Sequence, residues 1–214
     1  MIKTLSKNIL NETLIFTNLK AIFWKREKAL IISDLHIGKA AHFRKNGIAV
    51  SSGILVEDLD NLEKLVQYFQ AESILIVGDL LHAGKNSDFD IFCNWRKKFP
   101  HLKIILIKGN HDRFSHKISE EACIDIFEKK LEIFPFVFIH EPQEISDKFV
   151  ISGHLHPGIV FEQKKIQRIK LPCFAYSENQ LILPAFSRFT GLDYKSLNEN
   201  FVKIAIHKDF IFEV

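Results

Sequence analysis

Along the chain, short apolar runs alternate with two longer stretches whose apolar positions recur at helical spacing. Residues 13–16, 21–24 and 29–33 read as strands, since β-branched, aromatic and aliphatic side chains suit a pleated, half-buried surface. From about 52 to 68, Ile54, Leu55, Leu59, Leu62, Leu65, Val66 and Phe69 recur at helical spacing. Ser51 or Ser52 is the expected cap of that helix, with Glu57 and Asp58 toward its start. Residues 73–77 form a fully apolar strand that ends at Gly78-Asp79. Residues 87–99 predict a second amphipathic helix, stopped by Pro100, and 102–107 another apolar strand ending at Gly109-Asn110. Helices then thin out: 124–127, 136–139, 148–152, 159–162, 166–170, 181–183, 203–206 and 210–212 all read as strands. The alternating first half predicts a parallel sheet and the strand-rich second half a mainly antiparallel one. The expected class is α/β, with two packed sheets and helices outside.

No internal repeat, low-complexity tract or Pro/Gly/Ser-rich linker interrupts the 214 residues, so 1–214 is expected to be a single domain. An apolar fraction of 47% and a charged fraction of 26% are those of a soluble globular protein. With no leader-like run and no bilayer-length apolar stretch, a cytoplasmic protein off the membrane is expected. Cys93, Cys123 and Cys173 are scattered without paired spacing and read as small apolar side chains. The net charge of +3 permits a polyanionic substrate without requiring one. Oligomeric state stays open.

Candidate chemistry sits where the apolar strands end. The run at 31–32 delivers Asp34-Leu35-His36, that at 74–77 delivers Gly78-Asp79, and that at 104–107 delivers Gly109-Asn110-His111-Asp112. Two later strands deliver His140 and Gly153-His154-Leu155-His156. Carboxyl ends of strands are where sites gather in open α/β sheets, so five such ends point to one crevice. In an extended segment residues i and i+2 point the same way, which would let Asp34 with His36, and His154 with His156, act in pairs. Glycines before Asp79, Asn110 and His154 remove bulk and permit sharp turns. Carboxylate, amide and imidazole without thiolate form a donor set suited to Mn, Fe, Zn, Co or Ni rather than Ca or Mg.

These motifs resemble the calcineurin-like metallophosphoesterase superfamily, whose pattern runs Asp-x-His, Gly-Asp-x-x-Asp, Gly-Asn-His-Asp/Glu, His, Gly-His-x-His. The resemblance spans roughly residues 31 to 158 and implies a four-layer sandwich of two mixed sheets flanked by helices. It further implies one metal held by Asp34, His36 and His156, a second held by Asn110, His140 and His154, and Asp79 bridging them. Two divalent ions, foremost Mn, are the implied cofactors. Two positions depart from the pattern. His82 stands where aspartate is usual, a place normally behind the ligands, and Glu141 follows His140 where glycine is frequent. The run Asp34-Leu35-His36-Ile37-Gly38-Lys39-Ala40-Ala41-His42-Phe43-Arg44-Lys45-Asn46-Gly47, and Leu183-Pro184-Ala185-Phe186-Ser187-Arg188-Phe189-Thr190-Gly191, are similar to the bacterial ligase-associated DNA-damage-response endonuclease family. That likeness implies a manganese-dependent phosphodiesterase or nuclease of DNA repair, working near a helicase and a DNA ligase.

Two metals about 3.5–4 Å apart can share a hydroxide for in-line attack and clamp both the attacking and the leaving oxygen. His111, next to Asn110, is the expected proton donor to the leaving alkoxide, with Asp112 orienting its ring. Lys39, His42, Arg44 and Lys45 after the first motif, and Arg113 after the third, are the candidate contacts to flanking phosphates of DNA or RNA. Phe43 among them suits packing better than stacking on a base. Three function classes remain open. They are a nucleic-acid phosphodiesterase, a phosphoesterase of a nucleotide, cyclic nucleotide or phosphoprotein, and a protein-docking module without turnover.

Overall fold

The computed structural model describes residues 1–82, 86–112, 116–143, 147–163 and 167–214. Its first sheet runs β1 (Thr4–Ile9), β2 (Glu12–Thr17), β3 (Ile22–Trp24), β4 (Ala29–Ile32), β5 (Ser73–Val77), β6 (Lys103–Ile107) and β7 (Asp125–Phe127) in spatial order. Pairing is antiparallel from β1 to β4 and parallel from β4 to β7. The expectation of a parallel first half therefore holds only after β4. The earlier strands are joined by turns too short for a parallel crossover.

The second sheet contains β8 (Lys130–Ile133), β9 (Phe136–Ile139), β10 (Phe149–Ser152), β11 (Gly158–Gln163), β12 (Gln167–Tyr176), β13 (Gln180–Ile182), β14 (Val202–Ile206) and β15 (Ile211–Glu213). Its spatial order is β15-β14-β12-β13-β10-β9-β8, with β11 paired to β12. It is mainly antiparallel as expected, but β9, β10 and β13 are mutually parallel. That parallel trio turns the carboxyl ends of β9 and β10 to one edge.

Burial explains why the central strands read as unbroken apolar runs. Ala29, Ile31, Leu75, Val77, Ile105 and Ile107 face the second sheet in a core with Phe16, Trp24, Phe136, Phe138, Phe149 and Phe174. Their alternates Leu30, Ile32, Ile74, Ile76, Ile104 and Leu106 face the helices. A strand buried on both faces needs apolar side chains at every position.

Four helices are described: α1 (Lys39–Lys45), α2 (Ile54–Phe69), α3 (Ser87–Lys97) and α4 (His116–Ala122). Leu55, Leu59, Leu62, Leu65 and Val66 of α2, Phe89 and Phe92 of α3, and Ala122 of α4 pack on the outer face of the first sheet. The chain is thus the expected α/β sandwich of two mixed sheets flanked by helices, and the described helices that pack on a sheet do so on the first. No described helix is long and apolar enough to cross a membrane.

The α2 cap differs from expectation. The helix starts after Gly53 with no side-chain cap, and Ser51 Oγ instead accepts the Gly53 N–H at 3.2 Å, shaping the turn before it. Helix α3 has the side-chain cap that α2 lacks: Asn86 Oδ1 accepts from the N–H groups of Asp88 and Phe89.

Candidate metal centre

Strands β4, β5, β6, β9 and β10 all end at the same edge of the sandwich, and their following residues form one cluster. The first two ligand loops are laced together beyond their strands. Asp34 N–H donates to Gly78 O at 3.1 Å, His36 N–H to Asp79 O at 2.9 Å and Ile37 N–H to Leu80 O at 2.8 Å. From the second sheet, Gly153 N–H reaches His140 O at 3.0 Å. The chain is not extended here. Asp34, His36, Asp79, His154 and His156 all have positive φ, between 49° and 69°. Asp34 with His36, and His154 with His156, are therefore presented by left-handed turns and not by an extended strand.

Close approach explains the glycines. A Cβ at Gly78 would lie 1.9 Å from His140 Nδ1, and one at Gly153 would lie 1.8 Å from Ser33 Oγ and 2.8 Å from Asp34 Oδ2. Gly109 is equally crowded by Asp79, 2.2 Å from its Oδ1. The turns that carry the donors thus touch each other's side chains.

Two sets of three donor groups come within 4.8 Å of one another: Asp34, His36 and His156, and Asp34, Asp79 and His140. His156 Nε2 is 3.2 Å and His36 Nε2 3.8 Å from Asp34 Oδ1. Around His140, the Nδ1 is 3.0 Å from Val77 O, which makes it the protonated nitrogen and turns Nε2 toward the cluster. That Nε2 is 3.2 Å from Asn110 Oδ1, 3.2 Å from His154 Nδ1 and 3.5 Å from Asp79 Oδ2. All seven expected ligands are therefore brought together. Asp34 is the carboxylate common to both sets, whereas the resemblance gives the shared place to Asp79.

The donors fit a metal ion. Both ring nitrogens of His36 are buried without a hydrogen-bond partner, a costly state for polar atoms unless an ion satisfies them. Burial pushes the His36 imidazole down to about 3, against the pull of Asp34, so the ring is neutral and ready to donate a lone pair. Burial also opposes ionisation of Asp34 and Asp79. The His156, His140 and Ser33 contacts nevertheless hold Asp34 below its ordinary value, and His140 and the His111 N–H bring Asp79 to about 2. Burial works against charge on His140 too, but the hydrogen bond to Asp79 and the charge of Asp34 raise it to about 9.

His111 is exposed, donates its N–H to Asp79 Oδ1 at 3.0 Å, and stands with its ring centroid 5.8 Å from that of His36. Asp112 does not orient it. The buried Asp112 carboxylate accepts Leu81 N–H through Oδ1 and Gly109 N–H through Oδ2, both at 2.8 Å, so its oxygens tie the second loop to the third. Burial raises its carboxyl to about 6. His82, in place of the usual aspartate, is half-buried, its ring 4.8 Å from His111, 5.6 Å from His36 and 6.0 Å from His42.

The candidate phosphate contacts divide. Lys39 and His42 lie on α1 toward the cluster. Burial lowers the Lys39 ammonium pKa while the charges of Asp34 and Asp79 raise it, which puts that ammonium in their field. Lys45 is exposed. Arg44 is turned to the scaffold, 3.4 Å from Asp88 Oδ1 and 3.2 Å from Ser51 O. Arg113 lies outside the described residues. Phe43 packs edge-on against Phe189, centroids 5.3 Å apart.

Two supports were not foreseen. Ser33 Oγ bonds Asp34 Oδ2 and Val77 O, a role signalled only by a hydroxyl at the end of an apolar strand. The segment after β13 closes the gap between the sheets: Leu183 N–H donates to Ser152 O at 2.8 Å, Phe186 N–H to Ser33 O at 2.8 Å and Ser187 N–H to Asp34 O at 3.2 Å.

A family model described as calcineurin-like phosphoesterase matches residues 28–174. Among solved structures, the chain is similar to the Pseudomonas putida nuclease MPE, with a TM-score of 0.84 and 30% identity over 99% of this chain and 100% of that one. A protein of unknown function from Aquifex aeolicus, AQ665, aligns with a TM-score of 0.43 and 19% identity over 64% of this chain and 81% of that one. No curated protein sequence matches.

Proposed function

We propose that this chain, which belongs to the calcineurin-like phosphoesterase family and is thereby a metal-dependent phosphoesterase, is a nuclease that hydrolyses phosphodiester bonds of DNA. The observation that carries the metal chemistry is the convergence of seven nitrogen and oxygen donors from five strand ends, with both ring nitrogens of His36 buried and unpartnered. In this reading Asp34, His36 and His156 would hold one divalent ion and Asn110, His140 and His154 the other, with Asp79, beside Asp34, as the further carboxylate. Manganese suits this thiolate-free set, as do Fe, Zn, Co and Ni. When bound, the ions supply Lewis-acid stabilisation of charge on the phosphoryl oxygens and activate water.

The remaining steps belong to the chain. The His140 Nδ1–Val77 O bond fixes which ring nitrogen faces the centre. His111, exposed beside His36, gives a proton to the leaving alkoxide. Lys39, with His42 and Lys45 along α1, holds phosphates flanking the scissile bond. The nucleic-acid substrate is supported by likeness to a nuclease along nearly the whole chain. A place in DNA repair beside a helicase and a DNA ligase rests on the resemblance of residues 34–47 and 183–191 alone.

The test incubates metal-stripped protein with Mn²⁺ and labelled single-stranded and duplex DNA, with His111→Ala and bis(p-nitrophenyl) phosphate in parallel. Wild-type cleavage of DNA, lost in His111→Ala, is expected. Hydrolysis of the small diester with DNA left intact would overturn the nuclease reading and move attention to small nucleotides. Inactivity with every divalent ion would revive a docking role.

A further inference from the structure

The segment after β13 provides no donor to the centre, yet two of its peptide units connect Asp34 to a half-buried ammonium and a buried carboxylate. Lys20 sits in the turn between β2 and β3, and its ammonium donates to Phe186 O at 3.4 Å and Ser187 O at 3.1 Å. A carbonyl and the next residue's N–H belong to one planar unit. The unit that begins at Phe186 O therefore ends at Ser187 N–H, which donates to Asp34 O at 3.2 Å. The unit that begins at Ser187 O ends at Arg188 N–H, which donates to Asp58 Oδ2 at 3.3 Å.

One cation thus stands at the head of two hydrogen-bond chains, one reaching the backbone of a candidate ligand and the other a carboxylate that is 1% exposed. A charge at the carbonyl end polarises each unit and strengthens donation from its N–H. Burial lowers the Lys20 amine to about 8 and raises the Asp58 carboxyl to about 6, while each charge partly offsets the other's cost. Asp34 has φ 55°, its N–H fixed by Gly78 O and its carbonyl by Ser187 N–H. Such a conformation persists only when its surroundings hold it.

We propose that Lys20 is a positioning residue that acts through the Phe186–Ser187 peptide unit to hold the Asp34 backbone in the orientation its carboxylate needs to receive a metal ion. Asp58 anchors the next peptide unit by accepting the Arg188 N–H. The inference rests on the metal-centre reading of the preceding section.

Lys20→Met, Lys20→Gln and Lys20→Arg are compared with wild type by Mn²⁺ calorimetry, by amide exchange at Ser187 and by steady-state hydrolysis of bis(p-nitrophenyl) phosphate. Phe149→Leu, at the far end of the inter-sheet core, serves as a variant of reduced stability. Lys20→Met is expected to lose about ten- to hundredfold in Mn²⁺ affinity. It should also speed exchange at Ser187 and lower kcat with little change in KM. Lys20→Arg, which keeps two donors and the charge, should recover most of this, and Lys20→Gln should fall between. Wild-type Mn²⁺ affinity and Ser187 protection in Lys20→Met would overturn the proposal. Should that variant not fold, the same result in Lys20→Gln overturns it. An equal loss of affinity in Phe149→Leu would overturn it as well, by showing general loosening. A wild type that takes up no Mn²⁺ overturns the metal-centre reading instead, and Ser187 exchange still decides whether Lys20 holds the segment.

Discussion

Gly78→Ala tests the packing of the centre without touching a donor atom. Two costs separate cleanly because Gly47 supplies a reference: φ is 80° at Gly47 with nothing within 4 Å of an added Cβ, and 85° at Gly78 with His140 Nδ1 at 1.9 Å. Alanine in the left-handed region costs about 1–2 kcal/mol, so Gly47→Ala should lose about that much. At Gly78 the methyl must also displace the His140 ring and break the Nδ1–Val77 O bond; Val77 O keeps Ser33 Oγ, but the buried Nδ1–H loses its acceptor at about 1–3 kcal/mol more. The sum, about 2–5 kcal/mol, is large beside a domain stability of about 5–15 kcal/mol but leaves a folded protein. Urea unfolding of both metal-free variants reads the difference, and Mn²⁺ calorimetry reads the ring. Gly78→Ala should lose at least about tenfold in affinity through its displaced ligand while Gly47→Ala binds normally. Equal stability losses in the two variants, with affinity intact, would refute the close approach of His140 to the second ligand loop.

Three further outcomes follow from the site. Asp112→Asn keeps only one acceptor oxygen for the two N–H groups of Leu81 and Gly109, so it should unfold about 1–3 kcal/mol more easily in urea. Its turnover of an alkyl phosphodiester should fall far less than the about 10²–10⁴ expected for His111→Ala; an equal fall would restore the ring-orienting role. Lys39→Met should raise KM for DNA about tenfold through one lost charge-assisted contact, and Arg44→Ala, already engaged by Asp88, should leave KM unchanged; the reverse ranking would remove Lys39 from the substrate path. His140 is raised from 6.5 to about 9, so its contribution to metal-free stability is complete below about pH 6.5 and is lost as pH climbs to 9. Melting in EDTA should move down across that window while Mn²⁺ affinity moves up, because a ligating imidazole must first lose its proton; a rising melt would contradict the His140–Asp79 pairing.

What was legible in the chain is what depends on period and on strand ends. β4, β5 and β6 announced themselves because burial on both faces leaves only apolar side chains after their first position, and a donor follows within three residues of each strand end. β1 did not, because its burial alternates between exposed and half-buried at the edge of the sheet. α1 and α4, seven residues each, are too short for an apolar stripe to stand out. The parallel trio β9, β10 and β13 was hidden because pairing partners are chosen by the whole sheet, not by the strand. Within the centre, residue identities were readable but conformations were not. Asp112 follows His111 in sequence, yet its oxygens were taken by the two backbone N–H groups nearest in space.

The conformations explain why a C-terminal part without ligand motifs belongs to the site. Five of the seven donors, Asp34, His36, Asp79, His154 and His156, occupy left-handed backbone that glycine would enter freely. Glycine has no donor to offer, so each such residue carries about 1–3 kcal/mol of strain for the sake of its side chain. Together that is of the order of a whole domain's stability and must be offset locally. The offsets are backbone hydrogen bonds, some between the ligand loops and some from the C-terminal segment that contributes no ligand. Gly78 O and Ser187 N–H fix Asp34, Asp79 O fixes His36, and Asp193 N–H fixes the His156 carbonyl at 3.0 Å. Gly158 N–H to Asp193 O at 2.8 Å closes that last brace. A truncation before Leu183 would leave every proposed ligand in the chain while removing the braces on Asp34 and His156, and metal affinity should fall with all seven donors still present.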